Sequence, residues 1–258
     1  MKGKKTKPPA IPASKPPDVP APAAAPEPAP KTFNIIRKNG LDFSNYKQKP
    51  SNFCHFATPM GNIIDDPVLR GALQRKIIPE RILDLGDGNY IVRTGKRFVE
   101  FAEHRIHESE LANVKIEGPK EIKLLAKAYE ERLMASNPDR YVKDGRYADH
   151  TGDTGGFFYK LFNIPSETPY MSNLPGRPLN EVLKKYNPNE YMLIAASNSS
   201  PQKPGLIARH FHFIKDIQGD NVILKEPFNM NKTITVPLRE FENNFETLTA
   251  VSKSAFMQ

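Results

Sequence analysis

The chain has one cysteine in 258 residues, no tryptophan, and no apolar run long enough for a secretory core or a membrane span. One thiol closes no intramolecular disulfide, so the sequence suits the cytoplasm, or secretion without a cleaved signal peptide. No segment repeats, and no EF-hand loop of the D-x-D-x-D-G type is present. Aromatic and basic residues do not interleave as in nucleic-acid-binding motifs, so neither nucleic acid nor a membrane is an expected partner. The net charge of +8 is misleading on its own. Residues 1–31 hold six Lys against one Asp and one Glu, leaving 31 basic and 27 acidic groups elsewhere. Half of the excess belongs to that segment, and a strongly basic folded surface is not implied.

What is present divides unevenly. Ten of the 25 prolines lie in residues 1–30, among Ala and Lys. Such composition cannot bury enough apolar surface to offset ordering entropy, so residues 1–31 are expected to be a disordered spacer or a docking element for a partner. Residues 32–258 are long enough for a substantial core. Asp66-Pro67 is an N-cap followed by a proline suited to the first helical position, predicting a helix over about 67–76. Asp87-Gly88 lies between LDL and NYIVR and predicts a hairpin, and Thr94-Gly95 predicts a second turn before RFVEF. Charge dominates 103–110, which places His104 and His107 on the surface; VKIEG follows as a short strand. In 119–135, Ile122, Leu125, Ala126, Tyr129 and Leu133 share one face of an amphipathic helix. Residues 136–162 read as turn-rich and contain His150, with Gly155-Gly156 before a short aromatic segment, and 178–186 suggest another helix. From Tyr191 the pattern turns to strands: YMLIAAS, ARHFHFIKDI, NVILKEPF and TITVPL, with Gly219-Asp220 as a turn and PLREFENNF as a short closing helix. Mixed elements first and antiparallel strands last define an α+β chain.

A lone cysteine is commonly an inert buried hydrophobe. Three features argue otherwise for Cys54. The polar pair Ser51-Asn52 precedes it as a helix cap, and a helix N-terminus stabilises a thiolate. Gln48, six residues earlier, supplies an amide for an oxyanion. His210 supplies a base, and Glu226 a carboxylate to orient it. Thiol, base, orienting group and oxyanion donor are the parts that acyl transfer through cysteine requires. His55 adjoins the thiol, but successive helical residues do not face one another. His210 and His212 alternate on one strand face, without the acid or thiolate neighbours a metal site needs.

In order along the chain, Gln48 with Cys54, KLLAKAYEERL with YADHTGDTGGFFYKLF, GLIARHFHFI and VILKEPF resemble the motifs of the calpain-like cysteine peptidases, a branch of the papain-like fold. The resemblance spans roughly residues 41–250. It implies a papain-like fold of two subdomains, with a Cys-bearing helical and mixed part over about 41–165 and a His-bearing antiparallel β-rich part over about 166–258. It places the catalytic histidine at His210 and not at His212. It also implies an endopeptidase that acts on protein or peptide substrates. The chain departs from the family at several positions. Glu226 stands in place of asparagine, Phe228 in place of tryptophan, Arg209 in place of a glycine, and Ser51-Asn52-Phe53 in place of a glycine and an acid. Pro59 and Gly61 fall where the family has a long helix, so that helix is expected to be kinked or short. The same parts also serve glutamine deamidation or acyl transfer, and a catalytically inactive protein-binding copy is the other alternative. No cofactor is expected, and HTGDTGG has too few carboxylates to assign calcium.

Overall fold

A computed structural model describes residues 31–32, 40–97, 100–136, 154–171, 182–183 and 185–258. The proline-rich run 1–30, the run 137–153 with His150, and residues 178–181 and 184 of the helix expected at 178–186 lie outside them. The described residues combine helices with antiparallel sheets, an α+β arrangement. None of their helices is long and apolar enough to cross a membrane.

Local signals set the first half. Lys31–Thr32 (β1) pairs with Ile82–Gly86 (β3). Lys47–Gln48 (β2) pairs with Ile116–Glu117 (β6), the strand expected at VKIEG. Cys54–Asp65 is the first helix, α1, and it runs through Pro59 for 12 residues. Asp66 caps the next helix, Pro67–Ala72 (α2), by accepting from the N–H groups of Val68 and Leu69 at 2.9 and 3.2 Å. A wider π turn over Leu73–Ile77 carries the chain on into Ile78–Arg81 (α3). Asp87-Gly88 forms the expected two-residue hairpin between β3 and Asn89–Arg97 (β4). Both residues have positive φ, 52° and 75°, as a type I′ turn demands.

Thr94-Gly95 does not turn the chain. β4 continues through it, and Gly95 instead lies under the helix Thr154–Phe162 (α5), where a Cβ would sit 2.4 Å from the Tyr159 carbonyl oxygen. Glycine is required there by close approach of two backbones, not by bending. The charged run 103–110 is largely the strand Glu100–His107 (β5), which forms the sheet edge in the order β1-β3-β4-β5. His104 is not a free surface group. It bonds to Thr94 Oγ1 at 3.1 Å and to Glu131 Oε2 at 3.2 Å.

Lys120–Ser136 (α4) matches the amphipathic helix read from 119–135, and its five face residues are all buried. The second half adds Glu167–Met171 (β7), Tyr191–Ser197 (β8), Phe211–Gln218 (β9), Asn221–Glu226 (β10), Asn229–Pro237 (β11) and Phe245–Ser252 (β12). They form one six-stranded antiparallel sheet in the order β11-β10-β9-β8-β12-β7. PLREFENNF does not end the chain's regular structure. Its short helix, Phe241–Asn244, leads straight into β12, which inserts between β8 and β7.

Period-2 alternation gives this sheet two buried faces. Met192, Ile194 and Ala196 face a large core shared with Phe56, Met60, Tyr129 and Phe157 of the helices. Leu193, Ala195, Ile214, Leu224 and Leu248 face a second core closed by Phe241 and Phe245. Burying each large apolar side chain contributes about 1.5–3 kcal/mol, so α1, apolar along most of its length, is held centrally on the sheet. At its far end Asp65 pairs with Lys215 of β9 and Lys225 of β10.

Candidate active site

Cys54 is the first residue of α1 and is half-buried. The helix N-cap is Phe53, which makes no side-chain cap bond; Ser51 and Asn52 do not cap it as the sequence suggested. Phe53 is instead an apolar anchor, stacked 5.2 Å from Phe56. Asn52 uses its carbonyl to bond His55 Nδ1 at 3.1 Å. An uncapped first turn leaves N–H groups without intrahelical partners. The backbones of Cys54 and His55 turn theirs to the thiol, as does the backbone of Phe211. Burial outweighs these three bonds and pushes the Cys54 thiol up to about 11.

Phe211 is the residue after His210. Four residues along α1, Thr58 Oγ1 donates to the Phe211 carbonyl at 3.0 Å. The helix start and the strand start are therefore pinned together within one turn of the thiol. His210 is held from behind by Ser197: its N–H donates to Ser197 Oγ at 2.9 Å, and its carbonyl accepts from Ser197 N at 2.9 Å and Oγ at 3.0 Å. Arg209, just before it, has φ 53°. That left-handed backbone is one glycine adopts freely and other residues at a cost of about 1–2 kcal/mol.

The His210 ring is buried and stacks on Phe228, 5.0 Å between centroids and 10° between planes. Burial pushes its pKa down to about 4. Its Nε2 is enclosed and has no hydrogen-bond partner. Phe228 is tied in turn to Gln48, because the Gln48 N–H donates to the carbonyl of Pro227 at 2.9 Å. The Gln48 side chain is buried, and its Nε2 donates to the Ser51 carbonyl at 2.6 Å.

Cys54, Gln48 and His210 are thus linked through Phe211, Pro227 and Phe228 into one neighbourhood. Glu226 enters it differently from expectation. It is buried at the end of β10, on the sheet face that carries Leu224. Its carboxylate pairs with Lys232 Nζ at 3.4 Å, and among the described residues it makes no bond to the His210 ring. Residue types and order did not reveal two further members. Thr58 and Ser197 position the site through backbone bonds, which leave no sequence signal. His212, whose signal is the H-x-H alternation, is fully buried with its ring 5.3 Å from that of His210.

A groove of about 880 Å3 opens between residues 41–47 and 228–231 and reaches Ile64 and Asp65, at the far end of α1 from Cys54. Among the described residues, no three His, Cys, Asp or Glu side chains gather as a metal-ligand set. No protein-family model matches the chain, and no curated protein matches it.

Proposed function

We propose that the protein is a cysteine-dependent acyl-transfer enzyme of papain-like, two-subdomain architecture, whose ordinary reaction is hydrolysis of peptide bonds in protein substrates. One observation carries this: the thiol at the open N-terminus of α1 lies against the backbone of Phe211, one residue from a buried imidazole. The resemblance to calpain-like peptidases, from Gln48 to VILKEPF, points the same way. Arg209 supports it too, since its left-handed backbone falls where that family has glycine.

Burial favours the neutral form of both the Cys54 thiol and the His210 imidazole, so neither is charged in the resting protein. The proton moves as the carbonyl arrives. Cys54 Sγ attacks the acyl carbon while His210 takes the thiol proton, and the carbonyl oxygen becomes an oxyanion. The Cys54 N–H and the second N–H of Gln48 Nε2 hold that oxyanion; one such donor is typically worth about 3 kcal/mol. His210 then gives its proton to the leaving amine. Water, deprotonated by His210, cleaves the thioester and frees the carboxylic acid.

The test is incubation of the full chain with unfolded protein substrates, followed by mass spectrometry for new termini. Cleavage by wild type and none by Cys54→Ala is expected. A one-dalton gain or a cross-link at glutamine would make the enzyme a deamidase or transferase built from the same parts. Cleavage that persists in Cys54→Ala would refute the assignment.

A further inference from the structure

His212 is the least explained polar group in the molecule. Its side chain is fully buried, and among the described residues neither ring nitrogen has a hydrogen-bond partner. Its ring meets His210 edge-to-face at 5.3 Å and 80°, and Phe245 at 6.1 Å and 86°. Burying a polar group without a partner costs about 1–3 kcal/mol, and three imidazole nitrogens share this fault here, counting His210 Nε2. Leucine or phenylalanine would fill a strand interior without that cost.

The neighbours point to a use. Lys225 lies opposite Phe213 in the β9–β10 pairing, so the next pair along brings Glu226 to the His212 side of the sheet. Glu226 is itself buried and held only by Lys232 at 3.4 Å, a side chain 48% exposed. The Glu226 carboxylate and the unpartnered nitrogens of His210 and His212 are therefore carried close together by neighbouring strands, with no direct hydrogen bond between them among the described residues. Polar groups separated by more than about 3.5 Å in such a setting are typically joined by an ordered water.

We propose that His212 is a positioning residue of the candidate active site: with Glu226 it holds a buried water against His210 Nε2, so that the carboxylate orients the working imidazole through that water. This rests on the reading of Cys54 and His210 as the reacting pair. A neutral imidazole has one N–H and one lone pair. A water that accepts from Nε2 keeps the proton there and leaves Nδ1 as the base. The direct carboxylate contact expected from the sequence is thereby replaced, and the H-x-H pattern acquires a role in place of metal binding. The charged and titratable groups around His212 are His210, Glu226 of β10 and Lys232 of β11, with Cys54 of α1 beyond His210.

The test uses the full chain labelled with 15N in its histidines. In wild type the His210 shifts should report a dominant Nε2–H tautomer, and one His212 nitrogen should show a hydrogen-bonded shift. His212→Leu should mix the His210 tautomers and slow Cys54 alkylation about tenfold, the usual scale for losing a group that orients an active imidazole. His212→Gln, which still holds a water, should stay within about twofold of wild type. Because the two residues share one water, adding Glu226→Leu to His212→Leu should slow the reaction no further. An unchanged tautomer and rate in a folded His212→Leu, or additive effects in the double variant, would overturn the proposal. So would His212 shifts typical of unbonded nitrogens in wild type, a readout that needs no variant to fold. If wild-type Cys54 instead reacts like an isolated buried thiol while the tautomer coupling is present, the site assignment fails and the His212 network stands.

Discussion

Asp65 is the clasp that keeps α1, the helix of Cys54, registered on strands β9 and β10. It ends α1 and pairs with Lys215 of β9 and Lys225 of β10. Its side chain and that of Lys225 are each 16% exposed, whereas Lys215 is 43% exposed. A hydrogen bond to a charged group contributes about 1.5–3 kcal/mol, and an exposed pair under about 1. The Lys225 contact therefore dominates, and Asp65→Asn should cost about 2 kcal/mol at neutral pH. For a chain this long that lowers Tm by about 4–8 °C. The pH dependence has a definite sign. Burial raises the Asp65 carboxyl, but the bonds and charges of Lys215 and Lys225 outweigh it and hold the pKa below its ordinary 3.8. The stabilisation is thus complete above the unfolded value and disappears as pH falls through the lower folded one. Urea melts of wild type and Asp65→Asn should differ at pH 7 and converge once the pH has fallen below the lowered Asp65 value. Equal stability at pH 7, or a gap that survives at the acid end, would refute the clasp.

Three other outcomes are expected. Gly95→Ala forces a Cβ to 2.4 Å from the Tyr159 carbonyl oxygen and 2.9 Å from two further backbone atoms, so a urea melt should show a loss of about 3 kcal/mol; a neutral effect would mean that α5 does not lie on β4. Arg209→Gly relieves a left-handed backbone at an exposed position and should raise stability by up to about 1 kcal/mol in the same assay, while Arg209→Val should lower it. Burial holds His55 and His210 down to about 4 and His212 to about 3, all below the ordinary 6.5. The unfolded chain therefore takes up protons first, and the urea midpoint should fall as pH drops from about 6.5 towards 4; a flat profile there would contradict their burial.

Features governed by neighbours in the chain were legible from residue order. Asp66-Pro67 starts a helix, Asp87-Gly88 makes a hairpin, and the spacing from Ile122 to Leu133 builds the buried face of α4. Features governed by distant partners were not. Gly95 reads as a turn until α5, some 60 residues away, is laid on it. β5 reads only as a run of charge because an edge strand turns alternate residues to water. The short polar pair before Cys54 reads as a cap, yet Phe53 takes that position because its ring gains more by packing on Phe56. Cys54, Gln48, His210 and Glu226 were each singled out by residue type. Their placement was not, because that depends on Thr58, Ser197 and Pro227 through backbone bonds and on the pairing of Glu226 with Lys232.

The most direct test is the rate of Cys54 alkylation from pH 4 to 11 in wild type and His210→Ala. If neutral His210 takes the thiol proton, wild type stays reactive at pH 6–7 and loses reactivity only as the imidazole protonates near 4, while His210→Ala reacts appreciably only on approach to about 11. Two superimposable profiles, both rising only at the alkaline end, would show a thiol that no base serves.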